Sequence, residues 1–436
     1  MEPITASFIR LIKKTEQRQY LRIPFDVGED TEILTVSYSY TRHRIEPGGE
    51  GIVCRREVNI IDLALEDPDL SLVGASGSER SIVSIHENYA TPGYQPRKIK
   101  AGTWQMVLGA YLVEEEGCAV DISISQTKKE TVLLRGDTHC HTVHSDGRYT
   151  VDELIDRVRQ DRLDYIFITD HNAMSSNDCL RSFPGLTVLP GVELTYYGGH
   201  CNLYGIKRPV KTYVANTREE VLSIMREGKT NGAAASVNHP IDPSCGWTFG
   251  VGEDVPLDLI EVWNGPFTPW NQGCIDLWQE ELAKGRVWPA IGGSDCHKSG
   301  LFHTFAAPCT FLYSRGRSGS DVLEAMRRGH AFIGMDQNAP VLHMELGEAR
   351  MGDVYKDGDD TLLIRAEGLR EGDELRLINQ GGVAETWKPG DCHIFEVKAQ
   401  TGDSLFVRLE VRRRLPGIGS TLASLSNPIY IRRKAG

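Results

Sequence analysis

The sequence predicts an α/β chain in which a β/α barrel of about seven strands is flanked on either side by an all-β, sandwich-like domain. Three observations predict it. Residues 1–130 carry period-two apolar stretches such as "EILTVSYSY" and "TWQMVLGAYLV", broken by the turn segments "EPGGEG", "GASGSE" and "TPGYQP". In residues 131–338 short apolar runs alternate with helical patterns, the signature of β/α units and a largely parallel sheet. From residue 339 to 436 the two-residue period returns in "TLLIRAEGL", "HIFEVKAQ" and "SLFVRLEVRRR", as in a smaller second sandwich.

A chain of 436 residues is too long for one core, so division into several domains is expected. The net charge of −12 argues against binding nucleic acid, whose affinity rests on Lys and Arg neutralising phosphates. The basic runs "VRRRLPG" and "YIRRKAG" are short and read as solvated strand faces. No apolar run approaches the roughly 18 residues of a membrane helix, and the N-terminus lacks the apolar core of a secretion signal. Ten cysteines without a C-x-x-C pair indicate neither a zinc ribbon nor a disulfide framework, which fits a reducing cytoplasm. Composition leaves a homo-oligomer open.

Two helices of the middle segment are marked by capping boxes. Thr150 precedes Glu153 by three residues, and Val151, Leu154, Ile155 and Val158 then share one face. Thr217 and Glu220 repeat the device, with Gly228 as the expected stop. The strand candidates are "TVLL" (131–134), "YIFI" (165–168), "LTVL" (186–189), "NLYGI" (202–206), "AAASV" (233–237), "LIEVW" (259–263) and "VWPAI" (287–291). All but the fourth are followed by polar groups able to hold a metal or substrate, and the fourth has His200 just before it. In β/α barrels the active site is built at the C-terminal ends of the strands.

The histidines carry the chemistry. His139 and His141 follow the first strand at i and i+2, so an extended segment turns both imidazoles one way; Asp146 adds a hard oxygen, and Gly147 allows a turn back. "TDHN" follows the second strand and brings His171. Glu193, a lone acid among apolar neighbours in "PGVELT", needs a partner if buried, and a metal is one. His200, His239, Asp295 and His297 complete the series. Each histidine alone is as well explained by a core or loop position, but seven of thirteen at predicted strand ends, His144 included, are not. These nine ligands exceed the needs of one tetrahedral ion, so two or three divalent metals are expected, and the imidazole–carboxylate mix suits Zn, Mn or Fe. Cys140 and Cys296, between paired ligands, read as small buried side chains; His144 and Asp170 read as partners of ligands rather than ligands.

The motifs "THCHTVHSDG", "TDHN", "GVE", "GGHCNLYG", "NHP" and "SDCH" resemble, in order, those of the PHP superfamily, named for polymerase and histidinol phosphatase domains, over residues 132–338. That resemblance implies a distorted seven-stranded β/α barrel with a trinuclear centre. His139, His141, Glu193 and Asp295 would hold one ion, Glu193, His200 and His239 a second, and Asp146, His171 and His297 a third. Some relatives carry histidine where Asp146 stands. "NIIDLALEDP", "ATPGYQPRKIKAGTWQMVLGAY", "IEVWNG" and "SNPIYI" further resemble the CehA/McbA-type branch, which includes carbaryl hydrolases.

The expected activity is hydrolysis of a small anionic substrate, foremost a phosphate monoester or diester, by a hydroxide shared between ions. Asp295, Glu193 and His303 are the expected catalytic residues, and Asn264, Lys298 and Arg148 the substrate-binding ones. The alternative is an amide, carbamate or carboxyl-ester hydrolase, with an aryl pocket from Trp263, Phe267 and Trp270. A third reading, a binding or regulatory module stapled by metal, would tie stability rather than turnover to the ions.

Overall fold

The computed structural model describes residues 3–47, 53–301, 303–356, 358–417 and 419–433. The chain divides into two compact units, Met1–Glu130 and Thr131–Gly436. The first holds two antiparallel four-stranded sheets. Ile4–Ile12, Cys118–Lys128, Thr31–Tyr40 and Ile82–Ile85 form one; Tyr20–Val27, Gly102–Leu112, Ile60–Glu66 and Leu72–Ser76 form the other. Leu34, Val36 and Ile122 of one sheet share a core with Leu63, Leu65, Met106 and Leu108 of the other, as strict alternation requires when one face of each sheet is buried.

The second unit opens with β1 (Thr131–Asp137), α1 (Val151–Gln160), β2 (Tyr165–Ile168), β3 (Thr187–Tyr196) and β4 (Gly199–Tyr204). It continues with α2 (Arg218–Thr230), β5 (Ala234–Val237), β6 (Leu259–Asn264), α3 (Pro269–Ala283), β7 (Ala290–Gly293), β8 (Cys309–Arg315), α4 (Gly319–Arg328) and β9 (Ala331–Gly334). The strands lie in the order β7, β6, β5, β4, β3, β2, β1, β8, β9. Thr310 Oγ1 of β8 accepts from Gly292 N of β7 at 3.0 Å and donates to Gly292 O at 2.6 Å, so the path curls until its first strand meets its eighth. β2 and β5 are four-residue runs buried at every position, as expected of strands covered on both faces.

Two expectations need correction. Six of the seven expected strands, β1, β2, β3, β5, β6 and β7, share one direction as a largely parallel sheet requires, but β4 runs antiparallel to both β3 and β5. The short link Tyr197–Gly198 closes a hairpin, and a hairpin must reverse direction. The β/α alternation is also incomplete: the described residues hold four α-helices, and "SSNDC" after β2 forms only a 3₁₀ turn, for want of a periodic apolar face. Gly228 does not end α2, which runs to Thr230. A Cβ there would come 2.4 Å from Leu203 Cδ1, so glycine lets the helix pack closely on β4. Both capping boxes form as the spacing predicts.

Beyond β9 the sheet continues into Gly419–Ser426, Phe406–Leu415, Glu374–Asn379 and Gly382–Trp387. On Phe406–Leu415 the residues Arg408, Glu410 and Arg412 share a face, with Glu410 accepting from Arg408 Nη1 at 2.7 Å and from Arg412 Nη2 at 3.0 Å. Arg408 and Arg412 also donate to Gln279 and Gln272 of α3, which fastens that helix to these strands. Burial opposes the charge of Glu410, but the two guanidiniums outweigh it and hold the carboxyl below its usual value of 4.5. A depressed folded-state value means the stabilisation is complete above about pH 4.5 and is lost as pH falls further. Glu410→Ala should therefore cost about 3–5 kcal/mol at neutral pH by leaving Arg408 buried without its partner. Denaturant unfolding should show the gap between variant and native protein narrowing once the pH drops below that window.

Candidate metal centre

The motif histidines follow strand ends, except His200 at the start of β4, and buried carboxylates hold the loops after β1, β2 and β7. Asp137, the last residue of β1, accepts from the backbone N–H of His139 at 3.2 Å, of Ser294 at 3.0 Å and of Ala306 at 2.7 Å. It thereby ties the loop after β1 to the loop after β7. Asp170, behind β2, accepts from Thr142 N at 2.7 Å, Thr142 Oγ1 at 2.8 Å and Ser145 Oγ at 2.8 Å, which folds the 139–147 loop back on itself. Gly147 is needed for close approach, since a Cβ would come 2.4 Å from the carbonyl oxygen of His141. Asp146 is thus brought 3.1 Å from His297 Nε2 and 3.6 Å from His171 Nε2.

Glu193 is at the centre. It is wholly buried on β3 with Thr195 on the same strand face, and His200 of β4 pairs opposite Thr195. Because β4 is reversed, its beginning lies at the end where β3 finishes, so a histidine at the start of the strand still reaches the site. Oε1 of Glu193 stands 3.2 Å from His200 Nδ1, 3.3 Å from His139 Nε2 and 3.6 Å from His239 Nε2. Oε2 stands 2.8 Å from His171 Nδ1 and 3.5 Å from His141 Nε2. Asn238 Nδ2 donates to Oε1 at 2.8 Å. Asp295 completes the inner group, with Oδ1 at 2.9 Å from His141 Nε2 and 3.4 Å from His139 Nε2. Both Asp295 and His239 hold left-handed backbone, φ 51° and 32°, a conformation that costs energy for any residue with a side chain.

Glu261 of β6 belongs to the site and was not among the expected residues. Its Oε1 lies 2.9 Å from His139 Nδ1; a carboxylate only accepts, so Nδ1 carries the proton and Nε2 is the atom turned inward. Its Oε2 accepts from His239 N at 3.1 Å and from Asn264 Nδ2 at 3.0 Å. Asn264 Nδ2 also donates to Asp295 Oδ2 at 3.2 Å, so one buried carboxylate and one amide orient three of the clustered side chains. The signal was present in "IEVWNG": a lone acid on an apolar strand, the pattern that marked Glu193. Cys245 was also missed. It joins His200 and His239 in one group, 3.5 Å from His239 Nδ1, after a turn folded on Asp242 that no short spacing reveals.

The remaining expected residues lie further out. His303 bonds through Nε2 to the carbonyl of Ser294 and stands outside the four groups of clustered ligand atoms. Arg148 and Lys298 have exposed side chains on the loops that carry Asp146 and His297. Trp263 is buried and packs edge-on against Phe267, whereas Trp270 is exposed. Cys140 and Cys296 are buried, and burial pushes both thiols up.

The electrostatics fit divalent cations. His139 Nε2 and Glu193 Oε2 are buried without a hydrogen-bond partner, a costly state that a cation between them would relieve. Burial works against a charged His139, but Asp295, Glu193 and Glu261 outweigh it and raise the imidazole well above its usual value. Burial likewise opposes charge on Glu193 and Asp295, yet the imidazoles, His139 foremost, hold both carboxyls well below their usual range. Burial prevails at His141, which is lowered. These carboxylates thus demand positive charge, which a cation binding there would supply. Four groups, His139–His141–Glu193–Asp295, His171–Glu193–His200, His200–His239–Cys245 and His141–Asp146–His171–His297, each keep their ligand atoms within 4.8 Å of one another.

Residues 137–264 match the family described as PHP domain. No curated protein matches the chain. Among solved structures it is similar to a two-domain protein from Bacteroides vulgatus described as "containing predicted PHP-like metal-dependent phosphoesterase". The identity is 17%, the coverage 68% of this chain and 96% of that one, and the TM-score 0.39. It is also similar to an amidohydrolase from Chromobacterium violaceum with bound sulfate and no metal, at 18% identity, 44% and 96% coverage and a TM-score of 0.30.

Glu261→Gln keeps the shape of the side chain but weakens its hold on His139. Its affinity for Mn²⁺ or Zn²⁺, measured by calorimetry on chelator-stripped protein, should fall by roughly 10–100-fold with far-ultraviolet circular dichroism unchanged. An unchanged affinity would remove Glu261 from the site.

Proposed function

We propose that this chain is a metal-dependent hydrolase of small phosphate esters, with its chemistry in the PHP domain at a centre of two or three divalent ions. The observation that carries this reading is Glu193: one buried carboxylate whose two oxygens face five imidazoles, three on one oxygen and two on the other. A structural metal site closes its coordination with a few protein ligands, whereas this one gathers more than a single ion can use and opens to solvent through Asp146 and His297. The curl of β7 through β8 supports reading residues 131–338 as a distorted barrel, with ligands at the C-terminal ends of its strands.

His139, His141, Glu193 and Asp295 would hold one ion, Glu193, His200 and His239 a second, and Asp146, His171 and His297 a third. Bound divalent ions supply Lewis acidity and make water nucleophilic near neutral pH. The chain's own residues supply orientation and proton handling. Asp295 is fixed by Asn264 at Oδ2, which leaves Oδ1 on the inner side, where it can take the proton of an attacking water. Asn264 therefore orients Asp295, a role beside the substrate contact its sequence position suggests. His303, tied to the carbonyl beside Asp295, positions that backbone. Arg148 and Lys298 are the cations of the mouth and can meet an anionic substrate as it enters.

The amide or carbamate alternative calls for an aryl pocket, for which Trp263, Phe267 and Trp270 are the candidates; Trp263 is buried against Phe267 and Trp270 is exposed. The deciding assay compares an aryl phosphodiester, an aryl phosphomonoester and an aryl carbamate on manganese- and zinc-loaded protein. Turnover of a phosphate ester is expected, with Asp295→Ala lowering kcat by about 10²–10⁴-fold. Turnover of the carbamate alone would overturn the phosphoesterase assignment. Glu193→Ala should reduce bound metal, read by elemental analysis of the folded variant; full metal content would rule out its bridging role.

A further inference from the structure

The loops that carry the clustered ligands also carry large apolar side chains in water. Val143 lies two residues after His141, Tyr197 three before His200, Ile241 two after His239, and Leu301 four after His297; all are exposed. Trp270, in the first turn of α3 behind Asn264, is exposed as well. These residues come from five separate connections, all at the end of the sheet where the ligands converge. Tyr197 is fully exposed at the tip of the β3–β4 hairpin. Ile241 packs against Gly273 of α3, one turn from Trp270, so two of the five share one surface. Among the described residues between 131 and 338 the other large apolar side chains so exposed are Tyr213, Val214 and Val287, which stand beside no ligand.

Apolar surface held in water by several loops costs free energy unless something covers it, and around a concave polar centre such surface marks a ligand site. We propose that this rim binds the apolar alcohol portion of the substrate, so that the preferred substrates are phosphate esters of long alkyl or aryl alcohols. The phosphoryl group would sit among the histidines and carboxylates while the chain or ring lies across Val143, Tyr197, Ile241, Trp270 and Leu301. A small-molecule occupant is favoured because Val143, Tyr197, Ile241 and Leu301 each lie within four residues of a clustered ligand, and the outermost of those ligands, Asp146 and His297, are open to solvent. This inference rests on the phosphoesterase reading for its phosphate half only.

The test uses the metal-loaded full chain and two readouts. Ethyl, butyl and octyl phosphate have leaving groups of nearly equal basicity, so kcat/KM should rise several-fold for each CH₂ buried, until the rim is filled. Calorimetry with methylphosphonate and octylphosphonate measures the same preference without turnover. The double variant Tyr197→Ser, Leu301→Ser should lower the octyl-to-ethyl ratio and the octylphosphonate affinity together. Equal values along either series, or a preference the variant leaves intact, would overturn the inference. Absence of turnover on all three esters would count against the phosphoesterase reading, and the phosphonate series would then decide the rim alone. Light scattering showing a dimer that the double variant dissociates would assign the rim to a second copy instead and overturn the substrate role.

Discussion

The charge of Glu193 is what the second unit has to accommodate. A carboxylate taken wholly out of water is too costly to keep unless opposite charge and hydrogen bonds surround it. Here the surroundings are five imidazoles and the amide of Asn238, from β1, β2, β4 and β5 or the loops that follow them. A single element could not supply them. A helix offers neighbours on one face and a strand on alternate residues, whereas six co-directional strands bring six C-terminal ends to one place. The reversed β4 adds a beginning at the same end. The mixed sheet is therefore consistent with convergence of ligands on one carboxylate.

Around this centre the loops are fixed by acids that are not themselves among the clustered ligands. Asp137, Asp170 and Glu261 are all fully buried, and each spends its oxygens on backbone N–H groups or on side chains of the ligand loops. This arrangement accounts for the left-handed backbone at His239 and Asp295. Strain of that kind persists only where several contacts determine the same geometry. His239 N is held by Glu261, Asp295 N donates to the carbonyl of His139 at 2.7 Å, and the Asp295 carboxylate is held by Asn264. Ligand position is set before any cation arrives, at a cost the core packing must offset.

How much of this the sequence disclosed depended on distance along the chain. His139 with His141, Asp170 with His171, and Asp295 with His297 were legible because their spacing is short and follows an apolar run. Glu193 was legible because an acid between Val192 and Leu194 contradicts its surroundings. Glu261 contradicts Ile260 and Val262 in the same way, so the same signal marks β6. Cys245 could not be seen, because a turn held by Asp242 brings it back to His239 through contacts with no sequence period. The direction of β4 was hidden too. An apolar run has the same composition whichever way it runs, and only the two-residue link before it required a hairpin.

The site is graded from closed to open, and that gradient bears on how it would work. His139, His141 and Glu193 admit almost no solvent, while Asp146 keeps 59% of its side-chain surface exposed and His297 33%. In the closed part electrostatic interactions are strong because little water screens them; at the mouth water competes for every ligand atom. A cation among His139, His141, Glu193 and Asp295 would be held by charges that cannot be solvated otherwise. One among Asp146, His171 and His297 would exchange more readily, since Asp146 loses little by returning to water. The difference follows from burial and from the second carboxylate of the inner group, Glu193 and Asp295 against Asp146 alone. On the proposed function, a substrate would enter past Asp146 and His297, and its charged group would move down a gradient of decreasing dielectric toward Glu193. Orientation is improved inward as solvent is excluded, which places the geometric demands of catalysis where the protein is best able to meet them.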